Sequence, residues 1–100
     1  MEKYIALLRC EAVGDGLRLS EATVTIREYD GTPQFLPIDR GALSRRHGGA
    51  NYLSVSVIHL DEAQQTALVG LPVEADSGAH RIWVNMHDLS NGPSPQEPSQ

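Results

Sequence analysis

The chain has 100 residues, 40% hydrophobic and 21% charged, enough apolar surface for one core and too much for a wholly disordered chain. With one cysteine, Cys10, it forms no internal disulfide, which points to a reducing, cytoplasmic setting. A formal charge of −5 argues against generic binding to nucleic acid or to an anionic membrane.

The opening Met1-Glu2-Lys3-Tyr4-Ile5 carries no positive run. Its apolar stretch is shorter than the roughly 7–15 residues of a secretion signal or the roughly 20 of a membrane helix. Tyr4 to Leu8 are apolar without a gap, which fits a strand buried on both faces or the start of a short helix. Cys10 shares parity with Ala6 and Leu8, so it reads as a buried, inert thiol rather than a nucleophile. Gly14-Asp15-Gly16 is expected to end this run.

Beyond it the apolar residues alternate. Val24 and Ile26 alternate with threonines, and Leu53, Val55 and Val57 with serines. Ala67, Val69, Leu71 and Val73 form a third set, and Ile82, Val84 and Met86 a fourth. A period of two places each set on one face of a strand. Strands are expected at about residues 3–12, 20–29, 34–38, 51–59, 66–75 and 80–86.

The turns fall between them. Asp30-Gly31 suits a two-residue hairpin turn in which both positions take positive φ. Pro37 favours a chain reversal. Asp39 can cap a short helix over residues 40–46, ended by Gly48, with Leu43 pointing inward. Asp61 to Gln65 connects two strands, and Asp76-Ser77-Gly78 closes the last hairpin. Pro72 cannot donate to a ladder, so the 66–75 strand is expected at an edge or bulge. The fold class is therefore mainly β: a small antiparallel barrel or half-open roll of five to six strands with one short helix, spanning residues 1–90. Residues 91–100, with three prolines and no hydrophobic residue, read as a disordered tail.

No constellation is specific enough to name a reaction or a ligand. His59 and Asp61 are two apart and share a face of an extended segment. With His80, Glu74 and Asp76 they are the candidate metal or acid–base set, although no standard ligand spacing is present. Arg40, Arg45 and Arg46 precede Gly48-Gly49 and are the candidate anion or nucleic-acid contact. The lysine and hydroxyl of a phosphate loop are missing, so a solvated helix end is the preferred reading. The segment from Leu71 to Val84 carries the most information. Glu74 and Asp76 share a parity, and Arg81 across the turn is placed to pair with one of them. Trp83 is out of phase with Ile82 and Val84 and faces the other side, covering an open barrel end or anchoring a partner. The expected function is a non-enzymatic interaction module with no cofactor, self-associating or partner-binding through Glu74, Asp76, Arg81 and Trp83. A small metal-dependent or acid–base enzyme is the alternative.

Overall fold

A computed structural model describes residues 4–45 and 49–91. The structure is mainly β, as the alternation predicts, but it is two antiparallel sheets rather than a closed barrel. Nine strands are found among the described residues, against the five or six expected. The first sheet has the order β8 (Arg81–Asn85), β7 (Thr66–Gly70), β6 (Asn51–Asp61), β1 (Tyr4–Arg9), β9 (Leu89–Asn91), with β5 (Leu43–Arg45) also pairing with β6. The second has the order β2 (Ala12–Asp15), β3 (Glu21–Arg27), β4 (Pro33–Asp39).

The four alternating sets supply much of the core, joined by Leu8 of β1 and by Leu36 and Ile38 of β4. Val24, Ile26, Leu36 and Ile38 from one sheet meet Leu8, Leu53, Val55, Ala67, Val69, Ile82 and Val84 from the other. At β1 the gapless apolar run is a strand, with Ala6, Leu7 and Leu8 all buried, so both of its faces are covered there.

The expected strand over 3–12 is in fact two strands in different sheets. The Cys10 N–H donates to Asn51 of β6 at 2.9 Å, and the very next N–H, of Glu11, donates to Thr25 of β3 at 2.8 Å. The chain thus changes sheets between adjacent residues. Arg27 braces this corner: its guanidinium forms an ion pair with Glu11 and donates to the Gly31 carbonyl at 2.6 Å. Gly14 and Asp15 are not the turn but part of β2, and the reversal falls at Gly16–Ser20.

The β3–β4 hairpin turns at Asp30-Gly31, but only Gly31 takes positive φ (93°). The Gly31 N–H donates to Glu28 at 2.9 Å and the Glu28 N–H to Thr32 at 2.8 Å. That is the three-residue hairpin loop, a type I turn closed by a left-handed glycine, in which Asp30 keeps negative φ. Asp30 instead accepts from the Thr32 N–H with its side chain, at 3.0 Å.

Pro37 does not reverse the chain; it lies inside β4. The even-numbered residues of β4 bond to β3, so Pro33 and Pro37 sit where a missing N–H faces the strand's free side. Prolines at such positions block further strand pairing. The helix expected over 40–46 shrinks to one 3-10 turn, Arg40–Ala42, capped by Asp39 accepting from the Gly41 N–H at 3.0 Å. Leu43 then enters β5 and still packs on the core. Arg46 and the closing Gly48 of that expected helix lie outside the described residues; of the expected tail over 91–100, Asn91 belongs to β9 and the remainder lies outside the described residues.

Pro72 does end the ladder: β7 stops at Gly70, five residues short of the expectation. The strand is nevertheless interior, between β6 and β8, and β8 is the edge. The loop of residues 71–80 closes on a second glycine turn, with Gly78 at φ 93°. Its tip is fastened to the other sheet. The Asp76 N–H donates to Phe35 of β4 at 2.8 Å, and the Ser77 hydroxyl donates to Gln34 at 2.7 Å. Among the described residues, no helix is long and apolar enough to cross a membrane.

Candidate functional site

The outer face of the first sheet, turned away from the core, is built by β6, β7 and β8. Cross-strand pairs place Asp61 beside Thr66, Thr66 beside Asn85, and His59 beside Leu68 and Leu68 beside Trp83. A register shift between Val57 and His59 makes Ile58 an extra residue in β6. This bulge turns the Ile58 side chain onto the outer face, where its Cδ1 would lie 3.5 Å from a Cβ on Gly70.

Trp83 faces out here, as its phase predicts, while Ile82 and Val84 are buried on the core side. The indole is half-buried. The His59 ring meets it edge-on, with centroids 6.0 Å apart and planes at 83°. That geometry suits the aromatic quadrupoles and fixes one side of the indole.

Tyr29 reaches Trp83 from the β3–β4 turn of the other sheet. Its backbone N–H donates to the Trp83 carbonyl at 2.8 Å. Tyr29, Trp83, Asp61, Gln64 and Thr66 line an open recess of about 210 Å³. Two polar groups there open to solvent rather than to a protein partner among the described residues. Thr66 is only 7% exposed, yet its hydroxyl has no hydrogen-bond partner among the described residues. One Asp61 carboxylate oxygen accepts from the Gln64 N–H at 3.1 Å; the other has no partner among the described residues. The recess thus brings together two aromatic residues, a hydroxyl and a carboxylate oxygen.

The other expected site residues are not drawn together. Glu74 and Asp76 are exposed in the 71–80 loop, and neither forms an ion pair with Arg81 among the described residues. Hairpin register is set instead by the β7–β8 ladder and by the glycine turn. His80 is exposed and contributes its carbonyl to the Leu71 N–H at 2.9 Å. Among the described residues, no group of three or more His, Cys, Asp or Glu is placed to hold a metal ion. Arg40 is occupied: it donates to Asp15 at 2.9 Å and to the Leu19 carbonyl at 3.1 Å. Arg45 is exposed at the end of β5, and Arg46 lies outside the described residues. Cys10 is buried, and burial pushes its thiol up to about 11.

Sequence reading found Trp83, His59 and Asp61 but missed Tyr29, Gln64 and Thr66. Tyr29 carries a local signal, since it precedes a hairpin glycine turn. Its partner Trp83 is remote in sequence, and no local pattern announces that pairing. No family model matches the chain, and neither a curated protein nor a solved structure matches it.

Proposed function

We propose that the protein is a non-enzymatic binding module that receives a basic side chain, arginine or lysine, of a protein partner in the Tyr29–Trp83 recess. The observation that supports this most is the recess chemistry. Aromatic rings attract a cation over their faces through their quadrupoles, and a carboxylate oxygen and a hydroxyl that open to solvent can accept its N–H groups. The overall charge of −5 has the sign that draws such a partner in. An anionic ligand would meet Asp61, and a wholly apolar one would strand the Thr66 hydroxyl.

Magnitudes set what kind of ligand this is. A cation–π contact contributes about 0.5–2 kcal/mol and a charged hydrogen bond about 1.5–3 kcal/mol. An isolated cation therefore binds at about millimolar strength or weaker. A useful affinity needs more of the partner. The adjoining outer face, with exposed Ile58 and half-buried Leu68, supplies an apolar margin for it. Of the hairpin residues expected to interact, Trp83 is the one that lines the recess; the tip bearing Asp76 is tied to β4.

Calorimetric titration with a short arginine- or lysine-bearing peptide tests the reading. Saturable heat is expected for the basic peptide and none for its glutamate counterpart. Equal heats from both, or none from either, would contradict it.

A further inference from the structure

At the far end of β3 the turn of residues 16–20 presents two leucines to solvent. Leu17 is 99% exposed and Leu19 is 97% exposed, so neither touches its own chain. They are nonetheless held in place. The Glu21 N–H donates to Arg18 at 3.0 Å, and the Arg40 N–H donates to Ser20 at 2.9 Å. The Arg40 guanidinium donates to the Leu19 carbonyl at 3.1 Å and to Asp15 at 2.9 Å. Gly16 is required for the tight return, because a Cβ there would lie 2.8 Å from the Glu21 Cβ. A fixed turn with two bare leucines loses little conformational entropy when it docks.

Close to this turn is an apolar groove. Pro37, Ile38, Ala42, Leu53, Pro72 and Val73 line a space of about 200 Å³, with the exposed Asp39 also among its lining residues. Asp39, which lines the groove, pairs with Glu21 at the end of the leucine turn, and the next residue, Arg40, holds that turn. One Asp39 oxygen caps Gly41, and the carboxylate makes no ion pair among the described residues. Between the two leucines is Arg18, exposed and likewise without an ion pair among the described residues.

We infer that the protein forms a two-fold dimer in which the Leu17-Arg18-Leu19 turn of each copy enters the Pro37–Val73 groove of the other, with Arg18 paired to Asp39 across the interface. Two features select a second copy as the occupant. The groove margin carries the charge opposite to that of the turn. The turn and groove are neighbours on one end of the molecule, so one two-fold axis fills both grooves at once and closes the assembly. A turn and groove on opposite ends would build an open chain instead. The Tyr29–Trp83 recess lies at the other end of β3, roughly 20 Å away for a seven-residue strand. Dimerisation therefore leaves both recesses open, and it stands independently of the function proposed above.

Sedimentation velocity on the full chain, from micromolar to millimolar concentration, tests the inference. The wild type is expected to shift from monomer to dimer mass. The double variant Leu17→Glu/Leu19→Glu is expected to stay monomeric at every concentration, with unchanged circular dichroism, since neither leucine packs in the monomer. Arg18→Asp alone and Asp39→Arg alone are each expected to weaken the dimer on the order of tenfold, because two symmetric pairs are lost together, and the combined variant to restore it. A wild type that is monomeric at millimolar concentration overturns the inference. So does a dimer that both leucine substitutions leave intact, or a charge swap that fails to restore association.

Discussion

The backbone N–H of Tyr29 donates to the carbonyl of Trp83 at 2.8 Å, joining the β3–β4 turn of one sheet to the edge strand β8 of the other. The same bond brings the two aromatic residues of the recess to one place. Fold and candidate site are coupled there, and the two roles are separable by mutation. Tyr29→Ala keeps the N–H and removes the ring, so stability is expected to change by no more than about 0.5 kcal/mol while binding of a basic peptide is lost. Tyr29→Pro removes the donor and leaves the Trp83 carbonyl unpaired, at a cost of about 1 kcal/mol or more. Urea unfolding of both variants checks the difference.

Burial separates two leucines that are equally apolar. Leu36 is fully buried in the core, and Leu36→Ala is expected to cost about 2–5 kcal/mol in urea unfolding. Leu17→Ala, at a dilute concentration where the chain is monomeric, is expected to change stability by less than about 0.5 kcal/mol.

The ion pair at the corner between sheets has a pH signature. Hydrogen bonding to Arg27 holds the Glu11 carboxyl below its ordinary value. A carboxyl lowered on folding stabilises the native state above its unfolded pKa, and this contribution fades as pH falls through the folded value. Wild type is therefore expected to exceed Glu11→Gln in stability near neutrality, and the gap is expected to close in acid. Both residues are well exposed, so the gap is small and shrinks with added salt. Urea midpoints at several pH values measure it.

Cys10 titrates with the opposite sign. Burial pushes its thiol from 9.0 to about 11, so the native state resists forming the thiolate. Between these values the unfolded chain releases the proton and the folded chain keeps it, and stability falls as pH rises. Cys10→Ala is expected to lose this alkaline decline. In the wild type a thiol reagent is expected to react slowly at neutral pH and quickly in denaturant.

What the sequence makes legible is what period two encodes. Val24, Ile26, Leu53, Val55, Ala67, Val69, Ile82 and Val84 alternate because each strand has one face on a shared core, and all of them are buried there. Trp83 was legible for the same reason, as the residue out of phase. The split between Cys10 and Glu11 was not. No glycine or proline marks it, because two adjacent N–H groups simply find carbonyls in different sheets. Prolines misled in the other direction. Pro37 resembles a breaker, yet on the free side of β4 its missing N–H removes no ladder bond. The segment after Asp39 carries helix-cap chemistry, but pairing of Leu43 with Leu53 of β6 pulls it into a strand after one turn. One of the five residues lining the recess is Tyr29, whose place depends on a pairing between remote segments.

The central claim, that the Tyr29–Trp83 recess takes a basic side chain, is tested most directly by the emission of Trp83, the only tryptophan in the chain. Titrating wild type, Asp61→Asn and Thr66→Val with an arginine-bearing peptide reads the indole in the recess itself. The wild type is expected to give a saturable change, each variant a curve weakened on the order of tenfold or more. An emission that does not respond in the wild type, or one that responds identically in all three proteins, would contradict the account.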